Sequence, residues 1–487
     1  MIRNPLLFTD VYKLNHMRMY PKDTTEVYSY LEARKPDKKV IWFGLQYYLK
    51  EYLAKPVQIW DVEEFCKIHE GLLGPVPEDV KKKIDALQKL GYWPVEIKAP
   101  AEGTVVKSQN ALMTIRNTHP DFYWCVGFLE SLLLKVWYPC TVASASRRYY
   151  ELVERFAELT CDNKDHLPFQ VHDFGYRGVS SEESAAIAGA SHLLNFSGSD
   201  TVTANAFLNY YYNAGKSVKG LSVPASEHSV MCSYGREGEW DAFDTMLDLY
   251  PEGIVSIVSD SYDYWKILTD YAPARKERIM SRNGKVVFRP DSGNQLNIIC
   301  GVGNEEQLPS AWKGWFSTEE QKGSLELLWD TFGGTVNSKG YRVLDSHVGL
   351  IYGDGMTYDR FEAILQRMKE QGFASSNLVI GVGGILLQNH SRDEFGFALK
   401  ATRIKKADGT TMEIFKDPAT DPGKRSKCGL VGLFRYPDSD DLYTMDHLTE
   451  EEEKYGVLRP VFLNGKILQE WSYNQIKTTL QEATSHG

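Results

Sequence analysis

The sequence predicts an α/β protein in two parts. Residues 161–394 read as a β/α barrel of about seven parallel strands, and residues 1–160 with 395–487 as a second, discontinuous α+β domain. Three observations predict this. From residue 169, short apolar runs begin at 169, 194, 221, 254, 286, 348 and 378, mostly 25–33 residues apart, the length of one strand–helix unit. Each run ends in small, polar or charged residues, as barrel strands do where chemistry collects at their C-terminal ends. Strand patterns also occupy both chain ends, which joins those ends in one domain. A doubly wound open sheet, whose polar strand ends line a crevice, is the alternative.

Composition narrows the function. The chain has 487 residues, 43% hydrophobic and 25% charged, an ordinary globular make-up that excludes a disordered chain, a collagen or a coiled coil. Its net charge of −10 argues against general nucleic-acid binding. Seven Cys with no C-x-x-C pair argue against a disulfide framework or a structural zinc, and read as buried thiols in a reducing compartment. The N-terminus has no signal-peptide pattern, and the longest apolar stretch, 127–138, is broken by Glu130 and Lys135. The expectation is a cytoplasmic protein with no membrane partner.

Element by element, 27–31 alternates like a strand, and 79–90 places Val80, Ile84 and Leu87 on one helical face before Gly91. Three short strands are expected between 95 and 116, then helices over 121–138 and 142–159. The barrel runs follow, with an insertion at 294–347 where the interval lengthens to 62. Strands return at 397–404, 412–415 and 430–434, an acidic tract at 438–453 reads as solvated surface, and 476–480 as part of a closing helix.

There is no P-loop, no G-x-S-x-G elbow and no H-E-x-x-H. Gly381-Val382-Gly383-Gly384 lies between a strand and a helix, where backbone N–H groups can close on a phosphate or glycines can merely ease packing. Asp354, in Gly353-Asp354-Gly355, could hold a ribose hydroxyl beside that phosphate. Arg289 and Asp291 flank Pro290 at another strand end, as a sugar-phosphate clamp or a structural ion pair. His228 follows Ser226-Glu227, and a barrel would put Asp260 from the next strand beside it; a carboxylate on one ring nitrogen makes the other more nucleophilic. Asp173 and Asp200 are further strand-end acids with structural pairing as the plainer reading. Residues 398–428 hold eight basic side chains against four acidic ones, a solvated face or a site for a polyphosphate.

Together, Thr9-Asp10-Val11-Tyr12-Lys13, His172-Asp173-Phe174-Gly175-Tyr176-Arg177-Gly178, Gly198-Ser199-Asp200-Thr201, Ser226-Glu227-His228-Ser229, Ser259-Asp260-Ser261-Tyr262-Asp263, Arg289-Pro290-Asp291-Ser292-Gly293, Gly353-Asp354-Gly355 and Phe415-Lys416-Asp417-Pro418 closely resemble the nicotinamide phosphoribosyltransferases, collinearly from about residue 8 to 430. The resemblance implies a dimeric type II phosphoribosyltransferase with an irregular β/α barrel, making nicotinamide mononucleotide and pyrophosphate from nicotinamide and phosphoribosyl pyrophosphate in NAD salvage. It implies that Phe174, with Tyr12 from the partner subunit, sandwiches the pyridine ring, and that Asp200 accepts from the carboxamide with Ser256 and Arg289 nearby. Asp291, Gly353 and Asp354 would hold the ribose, and Gly383 and Gly384 its 5′-phosphate. Arg34, Arg177, Arg392, Lys400, Lys416 and Lys424 would surround pyrophosphate or ATP. His228, oriented by Asp260, would be phosphorylated by ATP as co-substrate. Mg²⁺ would ride on the phosphates, with no metal cage built by the protein alone. The 294–347 interval is longer than the resemblance leads one to expect, and could cap the site or touch the other subunit. A nicotinate phosphoribosyltransferase on the same fold is the nearer alternative, which an anionic Asp200 disfavours. A barrel glycosidase using Asp291 and Asp354 is the remoter one, and the basic stretch speaks against it.

Overall fold

The computed structural model describes residues 4–215, 219–303, 314–353, 355–417, 419–420 and 425–485. The chain forms two compact units, one of Met1–Ser144, Phe207–Lys216 and His390–Gly487, the other of Ala145–Ala206 and Ser217–Asn389. The join expected at 160/161 falls instead at 144/145, inside the continuous helix Trp137–Thr160, where no sequence punctuation marks it.

The first unit is built on a seven-stranded sheet in the order Thr411–Glu413, Phe397–Lys406, Thr24–Ala33, Ala111–Asn117, Val95–Ala99, Arg459–Leu463 and Lys466–Ile467. Every neighbouring pair is antiparallel, and the interior strand Thr24–Ala33 pairs Leu31 with Leu399 on one side and Met113 on the other. Both chain ends thus supply strands to one sheet. Helix Glu78–Leu90 forms because acidic Glu78 and Asp79 meet the positive end of its dipole, and Gly91, at φ 77°, ends it in the left-handed region. Its Val80, Ile84 and Leu87 are buried, each contributing about 1.5–3 kcal/mol. The helical run Cys125–Thr160 is long and apolar enough to cross a bilayer by length and composition, which the broken stretch 127–138 did not foretell; 61% of its apolar window is buried, as in a core helix.

The acidic tract is solvated as expected at Asp438, Asp440, Asp441, Glu450, Glu451 and Glu452, but not at its end. It contains the strand Leu442–Leu448, and Glu453 is 4% exposed, accepting from Lys98 Nζ at 2.7 Å and Tyr28 Oη at 2.9 Å. A charge run shows nothing of a lysine more than three hundred residues away, so its buried partner was invisible in the sequence.

The second unit carries a parallel sheet ordered Val171–Asp173, Leu378–Val382, Val348–Tyr352, Asn283–Arg289 and Glu252–Val258. Single parallel bridges continue it around a ring: Ala225 to Ser256, Gly198 to Leu221, and Asp173 to Ser199. Five of the seven expected strands are therefore ladders and two shrink to bridging residues. Leu194 and Phe196 are buried, but in the turn after helix Glu182–His192. Gly198 is pressed on His172, where a Cβ would fall 2.6 Å from the ring, and Pro224 lacks the N–H that would extend a ladder. The insertion holds helices Gln295–Cys300 and Thr318–Phe332 and the hairpin of Gly334–Val336 with Arg342–Leu344.

Candidate active site

Strand Val171–Asp173 ends on a fully buried carboxylate. Asp173 Oδ1 accepts from the Gly175 N–H at 2.7 Å and Oδ2 from Ser199 Oγ at 2.8 Å, so it ties two neighbouring strand ends together. That fixes Phe174, whose N–H donates to Val382 O at 2.8 Å. The Phe174 ring centroid lies 4.7 Å from the His172 ring and 5.1 Å from the Arg289 guanidinium. Gly381 has to be glycine: a Cβ would fall 2.3 Å from the Phe174 ring.

Asp200 stands beside this ring system. Its Oδ1 meets His172 Nε2 at 2.8 Å and accepts from Ser222 Oγ. Burial works to raise its pKa, but His172, Ser222 and the Arg289 charge prevail and hold the carboxyl below its ordinary range. Arg289 forms a two-point ion pair with Asp291, Nη2 to Oδ2 at 2.8 Å and Nε to Oδ1 at 3.1 Å. Gly353 makes room for that carboxylate, since a Cβ would fall 2.3 Å from Asp291 Oδ1. Ser256 is buried in the adjoining strand, its backbone bridged to 224–226.

His228 Nε2 lies 3.1 Å from Asp260 Oδ1, as the strand-end spacing predicted. The Asp260 side chain is 4% exposed and its other oxygen accepts from the Asp291 N–H at 2.9 Å and Ser292 Oγ at 2.5 Å. One carboxylate thus sets both the imidazole and the loop carrying Asp291. His228 itself is 47% exposed, with Nδ1 free of the Asp260 contact.

Gly383 precedes the short helix Gly384–Leu387, and Gly384 packs on the Gly178 carbonyl, where a Cβ would come within 2.8 Å. The nearest atom to a Cβ on Gly383 is 4.0 Å away, so this glycine leaves open space beside the strand end. Arg177 is exposed in the turn Tyr176–Gly178.

The remaining expected residues that the structure describes belong to the first unit. Lys400 lies in strand Phe397–Lys406, and its ammonium is held below the usual lysine range, chiefly by burial, with Arg34, Lys416 and Arg392 adding like-charge repulsion against Glu130. Four of the six expected pyrophosphate cations therefore form one cluster. Tyr12 is 62% exposed in the helical turn Val11–Arg18. Asp354 and Lys424 lie outside the described residues. Sequence reasoning missed the ties of His172 and Ser222 to Asp200 and of Ser292 to Asp260. Their strand-end positions were visible, but the direction of each side chain was not.

A curled parallel sheet whose strand ends converge on an aromatic ring, paired carboxylates and glycine turns has clear relatives. Residues 169–466 match the model described as the nicotinate phosphoribosyltransferase (NAPRTase) family, and the chain belongs to that family. Residues 4–71 match the model of the nicotinamide phosphoribosyltransferase N-terminal domain. Relatives named nicotinamide phosphoribosyltransferase include one from Acinetobacter baylyi, 38% identical over 98% of this chain and 97% of its own. Another from Xanthomonas campestris pv. campestris is 38% identical over 97% of each chain, and one from Mycoplasma pneumoniae is 35% identical over 90% of this chain and 97% of its own. The fold is shared with a nicotinate-nucleotide pyrophosphorylase from Pyrococcus furiosus (TM-score 0.58, 14% identity, 99% of this chain and 96% of that one). It is also shared with human nicotinic acid phosphoribosyltransferase (TM-score 0.52, 15% identity, 98% and 94%).

Proposed function

We propose that this protein is a nicotinamide phosphoribosyltransferase of NAD salvage, joining nicotinamide to phosphoribosyl pyrophosphate with release of pyrophosphate. The observation that carries the reading is the ionised Asp200 beside the Phe174 ring, an acceptor for a carboxamide N–H at the edge of a surface suited to a flat base. The full-length likeness to relatives of that name supports it.

In this reading the pyridine nitrogen forms its bond to the anomeric carbon as the bond from that carbon to the pyrophosphate oxygen breaks, and the electron pair leaves with pyrophosphate. No proton has to move, so the protein acts through position and charge. Phe174 and Asp200 orient the base, with Ser256 and Arg289 beside them. Asp291 and Gly353 receive the ribose, and Gly384 with the open space at Gly383 its phosphate, while the resemblance assigns Arg34, Arg177, Arg392, Lys400 and Lys416 to the leaving group. The strand-end carboxylates are already engaged, Asp260 by His228, Ser292 and the Asp291 N–H, and Asp291 by Arg289. Magnesium would therefore be held through the substrate's phosphates and not by a carboxylate cage, and would supply positive charge to the departing pyrophosphate.

ATP hydrolysis is coupled through His228. With Nε2 held by Asp260, Nδ1 attacks the γ-phosphorus, the bond to the ADP oxygen breaks, and water later releases the phosphoryl group as phosphate. The enzyme works as a homodimer in the cytoplasm, with Tyr12 of the partner subunit closing the stack on Phe174. The large exposure of Tyr12 and seven unpaired cysteines support these two statements.

A second reading, a nicotinate phosphoribosyltransferase, is favoured by Arg289 next to Phe174, which could pair with a carboxylate substrate. One assay separates them: nicotinamide or nicotinate with phosphoribosyl pyrophosphate, with and without ATP, on wild type and His228→Ala. Expected is turnover of nicotinamide, raised by ATP in the wild type only, and acid-labile label from γ-labelled ATP on the His228 peptide. Preference for nicotinate would establish the second reading, and label undiminished in His228→Ala would remove the phosphohistidine.

A further inference from the structure

Three donors of different chemistry converge in the first unit outside every group used above. Glu413 ends strand Thr411–Glu413, Cys428 precedes strand Leu430–Arg435, and His447 lies in strand Leu442–Leu448. His447 Nδ1 is 2.6 Å and Cys428 Sγ 3.7 Å from the same oxygen, Glu413 Oε2, and all three donor atoms lie within 4.8 Å of one another. Among the described residues no other trio of such donors is this close.

The backbone is shaped around the trio at two further points. The ladder between the last two strands slips, Leu430 pairing Leu448 but Gly432 pairing Met445, so one extra residue is accommodated on the 442–448 side. Within that bulge His447 adopts φ 56°, uncommon for a residue with a side chain, while its N–H donates to Cys428 O at 3.0 Å. Gly429 adopts φ 67°, and a Cβ there would fall 2.2 Å from Glu413 Oε1. Only glycine lets the carboxylate sit where the thiol and imidazole meet it.

We propose that Glu413, Cys428 and His447 bind one divalent cation of the zinc class, with one coordination position left to water. Thiolate and imidazole suit zinc and disfavour magnesium or calcium, which prefer oxygen. Zinc bonds of about 2.0–2.3 Å in tetrahedral geometry put ligand atoms about 3.2–3.7 Å apart, so the trio closes on an ion with shifts under about 1.5 Å. On binding, the sulfur–metal bond replaces the S–H bond and the proton goes to solvent. His447 and Glu413 are exposed, which gives the ion a way in, while Cys428 is buried. Glu413 and Cys428 also close the two ends of the segment that carries Lys416. A bound ion therefore pins the base of a loop belonging to the cation cluster.

The test uses the full-length, tag-free protein, stripped with a chelator and dialysed against zinc, with metal counted per chain, and the cobalt(II) form examined by absorption. Expected are one zinc per chain and a thiolate-to-cobalt charge-transfer band that disappears in Cys428→Ser. Loss of supporting residues around zinc ligands already costs about 10–100-fold in affinity, so His447→Ala should weaken zinc binding by more than about tenfold. No stoichiometric binding by wild type, or a cobalt band undiminished in Cys428→Ser, overturns the proposal. If Cys428→Ser does not fold, unchanged zinc affinity in His447→Ala, which alters an exposed side chain, overturns it equally.

Discussion

Asp200 keeps its charge against burial because His172 and Ser222 contact the carboxylate and Arg289 stands nearby. A hydrogen bond to a charged acceptor contributes about 1.5–3 kcal/mol, against about 0.5–1.5 for a neutral one. Asp200→Asn should therefore lower the nicotinamide-over-nicotinate preference by about 5–30-fold, the equivalent of about 1–2 kcal/mol. Competition between the two bases measures it, and an unchanged ratio would show that another group reads the amide. At this scale the sequence was informative where position sufficed. A strand-end rhythm was enough to pair His228 with Asp260, because barrel geometry sets neighbouring strand ends side by side. It could not reveal that His172 turns its ring to Asp200, since that depends on Gly198 giving way beneath the ring.

Among the elements, the short helix Leu45–Tyr48 begins on a buried carboxylate. Glu102 is fully buried and accepts from the Gly44 N–H at 3.1 Å and the Gln46 N–H at 2.7 Å, and burial pushes its pKa up to about 7. The folded chain thus keeps a proton that the unfolded chain releases above about pH 4.5. Its contribution to stability is complete below that pH and fades as pH rises through about 7, a change on the order of 3 kcal/mol. Melting curves at pH 5 and 8 should show the wild type losing more stability between them than Glu102→Gln. Parallel losses would place the carboxylate's proton elsewhere. Helix Glu78–Leu90 and the strands of 95–117 were legible because periodicity and Gly91 mark them locally. The bridges at Gly198 and Leu221 and the buried end of the acidic tract were not, because partners distant in the chain decide them.

For the whole molecule, the proposed dimer makes each site a product of two chains. Tyr12→Ala and His228→Ala chains, each impaired alone, should regain part of the ATP-stimulated activity when mixed and allowed to exchange. One of the two sites in a heterodimer would then hold both intact residues. Recovery at the level of the unmixed proteins, with heterodimers shown to be present, would mean that each chain supplies its own Tyr12. The two-part architecture was legible because both chain ends carry strands. The exact joins were not, since a continuous helix runs through the first of them.

One interior strand of the first sheet has a consequence for how the chain is made. Thr24–Ala33 pairs with Ala111–Asn117 on one side and with Phe397–Lys406 on the other. A ribosome adding about 5–20 residues per second reaches the second partner about 20–70 s after the first strand has emerged. For that interval the nascent chain carries an apolar strand with one edge bare, a template for pairing with other chains. Translation halted before Phe397 leaves that edge permanently open. Such fragments are natural clients for chaperones and for aggregation, whatever the condition of the barrel already made.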